Sequence, residues 1–491
     1  MTIKKAIQDL KQQRLSCEEL IRSCLNKIEK FDQGKKGVNA VITLNQKEAL
    51  NKAKEVDLKI KNREKLGKLE GIPIAVKDVI TTKGLKTTAA SKILENYLPP
   101  HDATCVEKLK KEGAIIIAKT NCDEFAHGAS GENSAYGVTR NPYDLDRVPG
   151  GSSSGSGAIV AYGGALAALG TDTGGSIRAP GCFLGLVGLK PTYGRISRYG
   201  LISMCSSTDT VSTLTQNVDD AAYLLSVLSS KDPKDSTSSG AGGKDFARDF
   251  SQGLKGLRAA YPKDALEREG LDDQVKEIFF NSLDKLKKNG VEIEEISMPL
   301  LSEPSVATYY IIVPSEISSN LARFDGIRFG MSDAEAKNLK QAYKNTRSKY
   351  LGKEAKRRVM LGNYALSAGY YDAYYKKAQK VRRMIWKNAK EIFKKFDLIL
   401  TPTMASPAFK IGEKSDPLAM YLADIFVSYA SLANICALSI NAGWVSNKAA
   451  DSLMDENKNK LPVGIHFMSQ WWDEETLLRA ANGFEKLVVG K

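Results

Sequence analysis

The stretch TDTGGSIR (171–178) places two adjacent glycines directly before a serine, Ser176. Either glycine would destabilise a helix or a strand, so the pair needs another explanation. One explanation is a sharp turn, because Gly-Gly is a common turn dipeptide. The other is a loop whose backbone N–H groups approach a bound group closely, since glycines put no side chain in the way.

A second glycine-rich stretch, VPGGSSSGSGAIV (148–160), shares only its composition with a nucleotide-binding loop. A dinucleotide pattern begun at Gly155 requires a small residue at position 160, where this chain has Val160. The P-loop pattern GxxxxGK[ST] is also missing from this stretch. We therefore expect no phosphate site here.

Ser176 has neighbours that suit a nucleophilic serine. Such a serine requires a base that removes its proton and N–H donors that hold the oxyanion. The run Thr173, Gly174, Gly175 and Ser176 can present consecutive N–H groups to one point. On this hypothesis the glycines belong to an oxyanion hole.

The base need not be a histidine, because the chain has only three: His101, His127 and His466. Lys77 ends the predicted strand in GIPIAVKD (71–78), where burial would favour the neutral, basic amine. Ser152 in GGSSSGSG is a candidate relay for a proton moving between Ser176 and that lysine. Taken singly, Lys77 also fits an ordinary strand-end lysine and Ser152 an ordinary loop serine, so these residues alone leave the question open.

Composition places the chain among ordinary globular proteins. Of its 491 residues, 42% are hydrophobic and 26% charged, enough apolar material for a large core. Its seven cysteines are scattered without a CxxC pair, so we expect neither a disulfide framework nor a zinc site. The amphipathic start, with a capping box at Ser16 and Glu19, does not resemble a signal peptide. We expect a cytoplasmic protein, with an organellar location left open.

The formal charge of +14 has two interpretations. It fits an acidic partner such as nucleic acid, and it fits plain lysine-rich helix faces in water. The stretch YYDAYYKKAQKVRR (370–383) shows the same ambiguity, because its tyrosines could pack on neighbouring helices while the lysines face solvent.

Hydrophobic periodicity predicts an α/β chain with a helical region inserted around 303–396. Strand and helix patterns lie on both sides of that region, and the stretch 231–255 is rich in small and polar residues. The predicted segments are N-terminal helices (1–65), a first core half with both glycine-rich stretches (66–230), a linker or surface loop (231–255), core α/β (256–302), the helical region (303–396) and a return to the core (397–491).

The motifs together resemble the amidase signature family. They are GGSSSGSG, then TDTGGSIRAPG with Ser176 24 residues after Ser152, then GLKPTYGRISRYG. The resemblance implies a single domain (1–491) built on a large mixed β-sheet surrounded by helices. It also implies a Ser-cisSer-Lys triad in which Ser176 is the nucleophile, Ser152 the relay and Lys77 the base. Residues 173–176 would then form the oxyanion hole.

Longer motifs are similar to one branch of that family, the A subunits of tRNA-dependent amidotransferases. They are PTYGRISRYGL, DPKDSTS, SSNLARFDGIRFG and LGNYALSAGYYDAYYKKAQKVR. This resemblance implies glutamine hydrolysis that supplies ammonia for converting Glu-tRNA(Gln) to Gln-tRNA(Gln), with Asp-tRNA(Asn) as a further substrate left open. The implied glutamine-binding residues are Tyr309, Arg358 for the α-carboxylate and Asp424 for the α-ammonium, a chemically sensible set.

The same resemblance implies a heterotrimer with B-type and C-type subunits. The B subunit would bind ATP and Mg²⁺ and most of the mischarged tRNA. We therefore expect no cofactor or metal on this chain and no membrane contact.

Three departures from the family pattern concern loops and the pocket rather than the triad. They are GGSSSGSG in place of GGSSGGS, DTVST (209–213) in place of Asp-Gln-Ile-Gly-Pro, and LANICALSINAGW (432–444) in place of a run with leucine-proline and valine-proline turns.

Two other functions stay open on the sequence. A free-standing amidase acting on small amides would share the triad without needing Tyr309, Arg358 and Asp424 together. A non-catalytic scaffold or RNA-binding subunit would explain the positive charge.

Overall fold

The structure is a computed structural model that describes residues 1–491 except 33, 35–36, 242–243, 248–249, 268, 448–449, 455–458 and 490–491. The predicted segments 1–65, 231–255, 256–302 and 397–491 each include some of these positions, and that part of each prediction lies outside the described residues. Among the helices that are described, none is both long and apolar enough to cross a bilayer.

Strands from both ends of the described chain join one eleven-stranded sheet. In chain order they are β1 (Val41–Leu44), β2 (Pro73–Lys77), β3 (Ile115–Thr120), β4 (Ala167–Asp172), β5 (Val187–Lys190), β6 (Thr210–Thr215), β7 (Arg258–Pro262), β8 (Glu292–Ile296), β9 (Leu398–Pro402), β10 (Cys436–Ser446) and β11 (Lys460–Ser469). The spatial order is β1-β3-β2-β4-β6-β5-β10-β11-β9-β7-β8. β2 pairs in parallel with β3 and β4. The next neighbouring pairs, β4–β6, β6–β5, β5–β10 and β10–β11, are all antiparallel. The predicted large mixed sheet is confirmed.

Sixteen α-helices surround the sheet in the described residues. They are α1 (Ile3–Lys11), α2 (Cys17–Asp32), α3 (Gln46–Lys61), α4 (Thr104–Lys111), α5 (Ser154–Ala161), α6 (Arg178–Phe183), α7 (Val218–Leu228), α8 (Lys263–Leu266), α9 (Asp273–Lys288), α10 (Glu303–Asn320), α11 (Leu339–Tyr350), α12 (Lys353–Leu366), α13 (Lys377–Ile392), α14 (Pro417–Leu422), α15 (Ser428–Leu432) and α16 (Glu474–Val489). A single π-helical turn, Asp372–Lys376, leads into α13. The helices α10–α13 confirm the predicted helical region at 303–396.

Local sequence signals account for the element boundaries near the site. The Ser16 N–H donates to Glu19 Oε2 at 2.8 Å and the Glu19 N–H donates to Ser16 Oγ at 3.1 Å, which is the predicted capping box at the start of α2. Every residue of β2 and of β3 is buried, as their continuous apolar sequences predict for strands covered on both faces. Lys77 therefore ends a strand in the middle of the protein.

Helices α10 and α12 approach each other closely because of one glycine. A Cβ atom at Gly362 in α12 would overlap the Pro314 carbonyl group of α10, so only glycine fits there without a shift. This contact brings the α12 turn that carries Arg358 beside the α10 turn that carries Tyr309.

Candidate active site

Lys77 lies at the carboxyl end of β2 with its side chain completely buried. Its Nζ forms hydrogen bonds with Ser152 Oγ at 2.7 Å and with Thr171 Oγ1 at 2.9 Å. Burial disfavours the ammonium form and lowers the pKa of Lys77 to about 8. An amine with this pKa exchanges protons readily near neutral pH, as a general base must.

Two other buried lysines show that burial alone does not make a base. Lys119 donates to the Ile80 carbonyl at 2.8 Å and lies 3.4 Å from Asp78, and Lys190 donates to the Ile435 carbonyl at 2.7 Å. Both act as structural donors. Of these three lysines, Lys77 is the one that contacts a serine of the glycine-rich stretch.

The two glycine-rich stretches meet beside Lys77. The Gly151–Ser152 peptide bond is cis, and the Ser152 carbonyl accepts a hydrogen bond from the Asp123 N–H at 3.3 Å. The next residue, Ser153, donates its N–H to the Ser176 carbonyl at 3.2 Å. The structure thus joins Lys77 to Ser152 directly and places the Ser176 backbone beside the next residue, Ser153, with Ser176 7% exposed.

A buried ion pair shapes the loop that carries Ser176. Arg178 binds Asp172 with two hydrogen bonds, Nε to Oδ2 at 3.0 Å and Nη2 to Oδ1 at 2.9 Å. Burial by itself would raise the pKa of Asp172, but the Arg178 guanidinium holds it well below its usual value. Arg178 also reaches His466 Nε2 at 3.1 Å, so this histidine supports the loop.

The structure gives each glycine of the Gly-Gly pair a conformational or packing reason. Gly175 has a φ of 117°, a region that favours glycine, and a Cβ at Gly174 would overlap the Tyr309 ring. The Gly175 N–H donates to Asp172 Oδ1 at 3.0 Å. This N–H therefore orders the loop, which does not agree with its predicted place in the oxyanion hole. The predicted donors that remain candidates are the N–H groups of Thr173, Gly174 and Ser176.

Thr173 is anchored from the opposite side by Asp209. Its hydroxyl donates to Asp209 Oδ1 at 2.8 Å, and Asp209 also accepts the N–H groups of Met204 at 2.9 Å and Cys205 at 3.0 Å. Asp209 begins the divergent segment 209–213, most of which forms β6 beside β4. The divergent sequence there belongs to a central strand rather than to a pocket loop. The run 432–444, which also departs from the family pattern, contains the last residue of α15 and most of β10.

The three predicted glutamine-binding residues lie together against the Ser176 loop. Tyr309 is buried over Gly174, and its ring lies 5.0 Å from that of Tyr310. The Tyr310 hydroxyl donates to Asp424 Oδ2 at 2.7 Å, and the Arg358 guanidinium lies 5.5 Å from the Tyr310 ring centroid. Burial raises the pKa of Asp424 to about 6, so this carboxyl is charged at neutral pH.

Sequence reasoning missed several residues that hold this group in place. Tyr310 stacks on Tyr421 at 3.8 Å between ring centroids, and Glu354 Oε1 accepts a hydrogen bond from Arg358 Nε at 2.8 Å. The i,i+4 spacing of Glu354 and Arg358 on a helix is a usable signal for that pair. Tyr310 and Tyr421 are far apart in sequence and carry no such signal. Thr171, the second partner of Lys77, carries no signal beyond its place at the start of the TDTGGSIR stretch.

The described residues offer no metal site of the usual kind. Nowhere in this part of the chain do three His, Cys, Asp or Glu side chains group as metal ligands would. All seven cysteines are buried free thiols.

Comparisons with known proteins identify the family of this chain. The Amidase family model matches residues 19–478. The A subunit of the glutamyl-tRNA(Gln) amidotransferase from a Sulfurihydrogenibium species is 48% identical over 485 residues, covering 98% of this chain and 96% of that protein. The corresponding protein from Geobacillus thermodenitrificans is 47% identical over 97% of this chain and 95% of its own length.

Solved structures show the same fold. The crystal structure of the glutamyl-tRNA(Gln) amidotransferase A subunit from Thermotoga maritima matches with a TM-score of 0.78 and 38% identity, covering 99% of this chain and 94% of that one. The peptide amidase of Stenotrophomonas maltophilia matches with a TM-score of 0.81 and 27% identity, covering 100% and 97%. The chain belongs to the amidase family and, within it, to the group of glutamyl-tRNA(Gln) amidotransferase A subunits.

Proposed function

We propose that this chain is a glutaminase subunit that releases ammonia for converting Glu-tRNA(Gln) to Gln-tRNA(Gln). The observation that carries the proposal is the 2.7 Å hydrogen bond between buried Lys77 and Ser152. It lies beside Ser176, in a site where Arg358 and Asp424 present opposite charges. Identities of 47–48% to A subunits over nearly the whole chain support it.

In the proposed mechanism Ser176 Oγ attacks the carboxamide carbon of glutamine. Its proton passes to Ser152 Oγ, whose own proton passes to the neutral amine of Lys77. Backbone N–H groups of the 173–176 loop stabilise the oxyanion of the tetrahedral intermediate. Ammonia leaves after taking a proton back through the same path. Water, activated by the same base, then hydrolyses the glutamyl ester on Ser176 and releases glutamate.

The charged pocket explains why glutamine would be the substrate. Arg358 takes the α-carboxylate as a planar fork, and Asp424 takes the α-ammonium. Tyr310 holds Asp424 through its hydroxyl, and Tyr309 closes the pocket over Gly174. A neutral amide lacking both charges would leave these groups unpaired.

The proposed assembly is a heterotrimer with B-type and C-type subunits. ATP, Mg²⁺ and most of the tRNA would bind the B subunit, and this chain would need no cofactor of its own.

Tyr370 and Tyr374 contact Tyr364 of α12, yet all three side chains remain 39–48% exposed. The prediction that such tyrosines pack against a neighbouring helix is therefore only partly met. Half-exposed aromatic rings with lysines nearby suit a surface that a partner covers.

A free-standing amidase is the second candidate function. The observation that favours it is the TM-score of the peptide amidase, 0.81 against 0.78 for the Thermotoga maritima protein. The sequence identities rank the two in the opposite order, 27% against 38%.

The test is purification of the full chain with whatever subunits accompany it, followed by a glutaminase assay. We expect B-type and C-type partners, ammonia release from glutamine in the wild type and none in Ser176→Ala. Full turnover in Ser176→Ala would refute the triad. Turnover of neutral amides in preference to glutamine, by a chain purified without partners, would favour the free amidase.

A further inference from the structure

His127 is a buried histidine that the mechanism above does not use. Its side chain is fully buried, and neither Nδ1 nor Nε2 has a hydrogen-bond partner among the described residues. Buried side-chain polar groups are nearly always paired, so two unpaired ring nitrogens on one residue call for a missing partner. Ser130, three residues on, likewise has a buried hydroxyl without a partner in the described chain.

The segment around His127 connects the triad to the Arg358 helix. On one side the Gly151 N–H donates to the Ala129 carbonyl at 2.8 Å, directly before Ser152. On the other side the Gly352 N–H, directly before α12, donates to Glu124 Oε2 at 2.7 Å. The segment 124–129, which includes His127, thus joins the residue before the proposed relay serine to the residue before the helix that carries Arg358.

The backbone before His127 is held in an unusual conformation. Phe125 and Ala126 have φ values of 50° and 64°, in the left-handed region that non-glycine residues rarely adopt. The Phe125 N–H donates to the Ala89 carbonyl at 2.8 Å, and its ring lies 4.9 Å from the Phe324 ring. Strain of this kind concentrates at functional sites, where the surroundings fix it.

Arg358 has donors to share with a ligand. Within the described chain its one hydrogen bond runs from Nε to Glu354 Oε1, so the two Nη groups have no such partner there. Burial and the nearby Arg358 charge both keep the pKa of His127 well below its ordinary value. His127 is therefore a neutral imidazole with one N–H donor, which can stand beside a guanidinium without repelling it.

We propose that His127 is a substrate-binding residue whose ring N–H donates to the same carboxylate that Arg358 holds. The inference rests on the proposed glutaminase function and deepens it. A carboxylate has about four lone-pair sites, and the Arg358 fork would use two of them. The His127 N–H would fill a third and turn the carboxylate so that the carboxamide carbon faces Ser176. The alternative is a buried water molecule that forms the missing hydrogen bonds of the His127 ring and takes no part in substrate binding.

The test compares two variants of the full chain, in the complex with which it purifies. His127→Leu removes both ring nitrogens at similar volume, and His127→Gln keeps a donor. We expect His127→Leu to raise KM for glutamine about tenfold to a hundredfold, the scale of a hydrogen bond to a charged group, with partial rescue in His127→Gln. Hydrolysis of a neutral short amide should stay within about twofold, because that substrate has no carboxylate. His101→Gln, at a partly exposed histidine, is the matched control.

Each other outcome overturns the inference. An unchanged KM for glutamine in His127→Leu, while Ser176→Ala is inactive, would leave the glutaminase function standing and assign His127 to a buried water. Equal losses on both substrates would make His127 a structural residue, and thermal unfolding of each variant would show it. Wild-type protein that neither hydrolyses glutamine nor is stabilised by it would overturn the proposed function and this inference together.

Discussion

The pH dependence of catalysis should follow the protonation of Lys77. Burial lowers the pKa of this side chain to about 8, from an ordinary value of 10.5. At pH 7 about a tenth of the protein then carries the neutral amine, and at pH 9 about nine tenths does. Because the neutral form is the base, kcat/KM should rise as pH increases through 8. The expected slope is about tenfold per pH unit below pH 7, with a plateau above about pH 9.

Thr171→Val should move this midpoint in a defined direction. The Thr171 hydroxyl lies 2.9 Å from Lys77 Nζ and accepts a hydrogen bond from the ammonium form. Bonds to a charged group contribute about 1.5–3 kcal/mol and bonds between neutral groups about 0.5–1.5 kcal/mol, so the charged form loses about 1 kcal/mol more. That difference lowers the pKa by roughly 0.7–1 unit. The midpoint should fall from about 8 toward 7, because valine has the same shape but no acceptor.

The assay is ammonia release at substrate concentrations below KM between pH 6 and 9.5. A neutral short amide is assayed beside glutamine. The α-ammonium group of glutamine and the Asp424 carboxyl both titrate as well, and the neutral amide does not depend on either group for binding. Thr213→Val is the matched control, since Thr213 Oγ1 is buried in β6 without a partner in the described chain and its removal should leave the midpoint unchanged. A midpoint that stays in place or rises in Thr171→Val would refute the assignment of Lys77 as the titrating base.

Three further predictions concern the pocket, the loop and cofactors. Burial raises the pKa of Asp424 to about 6, so this carboxyl loses its charge below that pH. KM for glutamine should therefore rise about tenfold per pH unit below pH 6, while KM for a neutral amide should not change. Kinetics of both substrates measured in parallel at pH 4.5–7 check this prediction. Arg178→Met should destabilise the fold by about 3–5 kcal/mol in urea unfolding, because Asp172 is left buried and unpaired, whereas Lys52→Met at the exposed Lys52–Glu55 pair should cost less than about 1 kcal/mol. EDTA and reductants should leave ammonia release from glutamine unchanged, and inactivation by EDTA in the absence of any ATP-dependent step would contradict the mechanism.

The sequence by itself determined the elements and the chemical type of the site. The continuous apolar run of β2, the capping box at Ser16 and Glu19 and the helical periodicity of 303–396 each lie within a short window, where local propensity and spacing decide the outcome. Motifs similar to a known family identified Lys77, Ser152 and Ser176 as residues to examine. Their local surroundings left each of them open to an ordinary structural explanation.

Only the tertiary structure decided which groups meet and in which state of charge. The partners of Lys77 are 75 and 94 residues away, and those of Asp424 and Asp172 include contacts across 114 and 259 residues. No window of sequence encodes such pairings, because they form when strands and helices from distant parts of the chain pack together. The same packing removes water from Lys77 and Asp424, and desolvation is what shifts both pKa values toward neutrality. It also leaves both ring nitrogens of His127 buried without a hydrogen-bond partner in the described chain, a feature that the order of the residues could not reveal.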